Sequence, residues 1–112
     1  MFVSGLMVLL GVMMNNCATF VVQIGNSDNR LTIQRWADFI RAIDKAIIGC
    51  GVEIHFRGGS VFGAPWLNAC WVFEMDESLL SNLRERLGEC AREFNQDSVA
   101  LTVGSTEFVR GC

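Results

Sequence analysis

An α+β domain, a four-stranded antiparallel sheet with two helices on one face, follows from three features of this chain. Two stretches repeat apolar residues at a spacing of three or four, Ile33 to Ile48 and Leu80 to Phe94. Short runs that alternate apolar and polar residues, or are apolar throughout, stand before, between and after them. Clusters of Gly, Asn, Asp and Ser separate the segments.

The first strand is expected over Thr19–Ile24, with Phe20, Val22 and Ile24 on one side and Thr19, Val21 and Gln23 on the other. A polar turn, Gly25-Asn26-Ser27-Asp28-Asn29, precedes the first helix. In that helix Ile33, Trp36, Ile40, Ile43 and Ile47 form an apolar stripe beside Phe39, and Gln34, Arg35, Asp38, Arg41, Asp44 and Lys45 point outward. Thr32 is the expected N-cap, and Gly49 or Gly51 the stop. In "VEIHFR", Val52, Ile54 and Phe56 are assigned inward and Glu53, His55 and Arg57 outward. Gly58 to Asn68 reads as a long glycine-bearing connection. A third strand runs from Ala69 to Met75. The second helix carries Leu80, Leu83, Leu87, Cys90 or Ala91, and Phe94 inward, with Asp76 or Ser78 as its cap. Ser98–Val103 is the fourth strand, which the tail extends past a bulge at Gly104. The resulting β-α-β-β-α-β order is the split pattern of ferredoxin-like folds.

At 112 residues the chain has the length of one domain, assigned to residues 18–112 and preceded by an apolar extension, 1–17. The run from Phe2 to Met14 is shorter than the roughly 20 residues that span a bilayer as a helix, so no stable membrane span is expected. No basic residue precedes it, as one would in an export signal. Three readings stand: a start upstream of the true one at Met13 or Met14, a degenerate export signal, or an extra packed element. The first implies a cytoplasmic protein and the second an exported one.

A net charge of −3, with nine basic residues scattered among twelve acidic ones, is unlike the basic stripe of a nucleic-acid binder. Five cysteines about twenty residues apart, without a C-x-x-C pair, suit neither a disulfide framework nor zinc, and no metal or cofactor is expected. Cys50 and Cys90 fall in phase with the helix cores, where a thiol acts as a small hydrophobe. Phosphate-loop, nucleophile-elbow and H-E-x-x-H patterns are missing.

Two groups of residues remain as candidate sites. The topology sends "GNSDNRLT", "GGSVFGAPWLN" and "FNQDS" to one edge, bringing Asn26, Asp28, Asn29, Trp66, Asn68, Gln96, Asp97 and Ser98 together near the start of the first helix. The open sheet face is expected to present Gln23, Glu53, His55, Arg57, Glu74 and Thr102, with His55 able to pair with Glu74. The reading that follows is a non-catalytic module docking a protein partner, or a second copy of itself, through the sheet face or loop edge. Its rival is a small hydrolase or lyase using Asp28, Asp97 and His55 as acid or base.

At "WLNACWVFEMD" and "FNQDSVALTVGSTEFV" the chain resembles small uncharacterised proteins of actinobacteria and their phages. These share an I-G-N-S-D-D-x-L-T opening, an N-A-C-W strand and a Q-D-S-I-A strand. The resemblance covers Thr19 to Gly111, leaves the first sixteen residues outside it, and implies no activity. It departs at Arg35, where an acidic residue often opens the helix, which weakens a capping box with Thr32.

Overall fold

Alternation at Phe20, Val22 and Ile24 sends three apolar side chains to one side of a strand, and two helices close over that side. The structure, a computed structural model, describes residues 17–26, 30–62 and 66–111. The elements are β1 (Cys17–Gly25), α1 (Ile33–Ile48), β2 (Ile54–Phe62), β3 (Trp66–Asp76), a short 3-10 turn (Glu77–Leu79), α2 (Leu80–Glu93) and β4 (Ala100–Gly104). The strands form one sheet in the order β2-β3-β1-β4, every neighbouring pair antiparallel.

Register sets the two faces of the sheet, because directly opposed residues put their side chains on the same side. Phe20 opposes Phe73, Val22 opposes Trp71 and Ile24 opposes Ala69, all buried under the helices. The Phe20 and Phe73 rings stack at 5.8 Å. From α1, Trp36, Phe39, Ile43, Ala46 and Ile47 join this core, and from α2 Leu83, Leu87 and Cys90. Phe39 stacks at 5.0 Å on Phe94, just beyond α2. Each such large side chain, once buried, contributes roughly 1.5–3 kcal/mol.

α1 starts on its expected cap, whereas Asp76 caps the 3-10 turn that leads into α2, and Leu79, at the N-cap of α2 itself, makes no side-chain cap bond. Thr32 Oγ1 accepts from the Arg35 N–H at 3.2 Å, and the Asp76 carboxylate accepts from the Ser78 N–H at 2.8 Å. α2 ends in a left-handed turn at Asn95 (φ 54), where the Asn95 N–H donates to the Arg92 carbonyl and the Gln96 N–H to the Ala91 carbonyl. Arg35, in place of an acidic first-turn residue, lies 4.3 Å from the Phe94 ring centroid and donates to the Glu93 carbonyl at 3.4 Å. It ties the start of α1 to the end of α2.

Five expectations are corrected. The segment from Gly58 onward is not a connection: β2 continues through Gly58-Gly59 to Phe62, and Trp66 and Asn68 belong to β3, paired with Phe62 and Ser60. A pair of glycines hides a strand from a propensity reading. Here one glycine is required by close approach, since a Cβ on Gly59 would sit 2.4 Å from the Asn68 carbonyl oxygen. Next, a bulge between Ile54 and Phe56 reverses the faces of β2. Phe56, expected inside, opposes Val72 on the open face; Arg57, expected outside, opposes Trp71 under α1. Ile33, placed on the buried stripe, is 71% exposed at the first position of α1. Cys50, placed on a helix, lies past the Gly49 cap, although Cys90 is buried as expected. The tail is also not a strand extension: beyond Gly104 it turns irregular, and the Thr106 hydroxyl bonds that of Thr19 on the open face. The N-terminal extension lies outside the described residues, apart from Cys17, which begins β1.

Candidate functional site

The edge where β1 and α2 end does gather the predicted chain segments. The Asn26 N–H donates to the Leu67 carbonyl at 2.9 Å, joining the end of β1 to the start of β3. Arg30 donates to the Asn95 carbonyl at 3.1 Å and meets the Asp97 carboxylate at 3.2 Å, bridging the loop before α1 to the loop after α2.

The individual side chains nevertheless go three ways. Asn26 points inward, 1% exposed, with its carbonyl accepting from the Leu31 N–H at 3.0 Å and its amide donating to the Leu31 carbonyl at 2.9 Å. It clamps its own loop and offers nothing to a ligand. Asn68 is exposed on the open face, over Gly25. Gln96, Asp97 and Ser98 line a cleft of about 310 Å³ between α2 and β4. The Gln96 amide donates to the Phe94 carbonyl at 3.1 Å, and its backbone closes the helix end. Asp28 and Asn29 lie outside the described residues, as does the side chain of Trp66. Asp97 is 87% exposed and engaged by Arg30.

On the open face, Gln23, Glu74 and Thr102 stand as expected: Gln23 and Thr102 are exposed on neighbouring strands, and Glu74 opposes Thr19. Glu53 is exposed just before β2, and His55 is exposed inside the bulge. No hydrogen bond or ion pair joins His55 to Glu74, so the acid–base pairing has no geometric support. Arg57 leaves the open face altogether and pairs with Asp44 on α1.

Two features were missed by the pattern reading. Asp44, assigned to the wet side of α1, accepts from the Trp71 indole N–H at 2.6 Å as well as from Arg57. One carboxylate thus satisfies a buried indole and orients a cation, an arrangement that depends on the bulge. The second is Phe56. It is 57% exposed over the open face, its ring beside Gly58, and with Gln23, Asn68 and Cys70 it borders a shallow hollow of about 290 Å³. Gly58 makes room for the ring, since a Cβ there would lie 2.9 Å from Phe56 Cζ. A count of residues through the bulge finds this position only once the register is known.

The two shifted titrations are both structural. The Ser78 N–H and hydroxyl hold the Asp76 carboxyl below its usual 3.8. Burial, with Glu93 and Glu89 nearby, pushes the Cys90 thiol above the ordinary value of 9.0. Among the described residues no group of three His, Cys, Asp or Glu side chains is placed to hold a metal ion, and no helix is long and apolar enough to cross a membrane.

No protein-family model matches the chain, and no curated protein matches it. Among solved structures it is similar to a crystal structure of an unknown protein from Galdieria sulphuraria, with a TM-score of 0.53 and 12% identity over 82% of this chain. The chain spans 50% of that protein's length, and the likeness is one of fold alone.

Proposed function

We propose that this chain is a small non-catalytic binding module that docks a protein through its open sheet face, built on a ferredoxin-like arrangement. The fold assignment rests on the β2-β3-β1-β4 order with both helices contributing to one core. The exposed Phe56 ring carries the functional reading: a large apolar side chain held over a glycine on a sheet face that neither helix covers is what an interface anchor requires. Around it, Val21, Gln23, Cys70, Val72 and Thr102 are uncharged, and Glu74 stands toward the end of the face near the tail contact at Thr19. A second copy of the same face, placed across a twofold axis, would meet little like-charge repulsion. The resemblance to small actinobacterial and phage proteins, and a cytoplasmic setting, belong to this proposal.

Sedimentation velocity over a range of concentrations tests it. The wild type is expected to shift toward a dimer as concentration rises, and Phe56→Asp to stay monomeric with an unchanged circular dichroism spectrum. Equal association of the two proteins, or a wild type that stays monomeric throughout, removes docking of a second copy on this face.

A further inference from the structure

Behind the sheet, between α2 and β4, the surface carries features that neither stability nor the sheet-face reading accounts for. Arg84, Gly88 and Arg92 are four residues apart and share one stripe of α2. That stripe borders the cleft of about 310 Å³, whose other wall holds Ser98 and Leu101 and whose floor holds Leu87 and Ala91.

Glycine inside a helix costs about 1 kcal/mol relative to alanine. Nothing local at Gly88 demands it: the backbone is helical, and the nearest atom to an added Cβ would be Arg92 Nη1 at an ordinary 3.6 Å. What the missing methyl leaves is open space beneath the Arg92 guanidinium. Neither the Arg84 nor the Arg92 guanidinium has an ion pair, hydrogen bond or ring partner among the described residues, in a chain with more acidic than basic groups. Arg92, in the last turn, complements the helix dipole. Arg84, in the N-terminal half, gains nothing from it. Their Cα atoms are about 12 Å apart along the helix, a separation two arginine side chains can close over the intervening glycine.

We propose that this cleft binds a small organic anion, a carboxylate or phosphate head held by Arg84 and Arg92 above Gly88, with a short apolar body on Leu87, Ala91 and Leu101. Guanidinium groups take planar anions through paired hydrogen bonds, and the Ser98 hydroxyl on the facing wall adds a donor. Asp97 at the rim is neutralised by Arg30.

The experiment is an amide NMR titration with octanoate and with octyl phosphate, using octanol and inorganic phosphate as controls. Both amphipathic anions should shift the Gly88, Ala91, Gln96 and Ser98 amides to saturation, and the tighter of the two identifies the head group. Arg84→Gln/Arg92→Gln should weaken binding at least tenfold with the rest of the spectrum unchanged, and Gly88→Leu should block it in a folded protein. Phe56→Asp should leave it intact, which keeps this test separate from docking at the sheet face. Absence of saturable shifts, undiminished binding by the double variant, or equal binding of octanol or inorganic phosphate overturns the proposal.

Discussion

Asn26 shows how far a residue's role can move once its neighbours are known. In the sequence it is one of several polar turn residues and a candidate ligand contact. In the fold it is fully buried and exchanges two hydrogen bonds with the Leu31 backbone. Replacing it by alanine leaves the Leu31 N–H and carbonyl without partners, each worth about 1–3 kcal/mol when buried and unsatisfied. Asn26→Ala is therefore expected to lower stability by about 3 kcal/mol in urea unfolding, with no effect on the spectrum of the open face. A loss below about 0.5 kcal/mol would mean that water replaces the side chain. Asp44 carries the converse lesson. Its helix position marks it as wet, yet Trp71 and Arg57 converge on it from the sheet.

At the scale of elements, the hairpin of β2 and β3 departs furthest from a pattern reading. Period-two alternation breaks at Gly58-Gly59 because neither residue has a side chain to pattern, while the backbone ladder runs on to Phe62. Close approach at Gly59 makes a local prediction: Gly59→Ala forces the Asn68 carbonyl aside and is expected to destabilise the protein by about 2 kcal/mol. Gly104→Ala, where an added Cβ meets nothing within 4 Å, should be neutral or slightly stabilising. Thermal denaturation of the two variants checks both, and equal effects would contradict the stated packing at Gly59. The helices, by contrast, were legible almost residue by residue. Their 3.6-residue stripes, the Thr32 cap and the Asp76 cap of the turn before α2 are local properties, and Ile33, at the very end of its helix, is the stripe residue left exposed.

For the whole molecule, stability against pH follows from the two shifted groups. The Asp76 carboxyl is lowered, so its contribution is present above its ordinary value of 3.8 and is lost as pH falls through the folded value. The Cys90 thiol is raised, so the folded state favours the protonated form; that contribution is complete below 9.0 and disappears as pH rises through the folded value. Unfolding midpoints should therefore form a plateau through neutral pH and fall at both ends. In Cys90→Ala the alkaline fall should shrink while the acid side is unchanged. An alkaline limb identical in the two proteins would place its origin elsewhere.

Four strands and two helices in this order, the buried stripes of both helices and of β1 and β3, and the edge where the loops around β1 and α2 meet are all legible in the chain. Those are consequences of periodicity and local capping, which act within a few residues. Tertiary packing settles which side of β2 each residue takes, that Gly58–Phe62 and Trp66–Asn68 are strand, and that Asn26, Asn68 and Asp97 go separate ways. A bulge of one residue inverts every side chain beyond it, and glycines carry no face at all. Phe56, Arg57 and Asp44 therefore acquire their roles from register. The same holds for Arg84, Gly88 and Arg92: their spacing is plain in the chain, but the cleft they border exists only because β4 lies alongside α2.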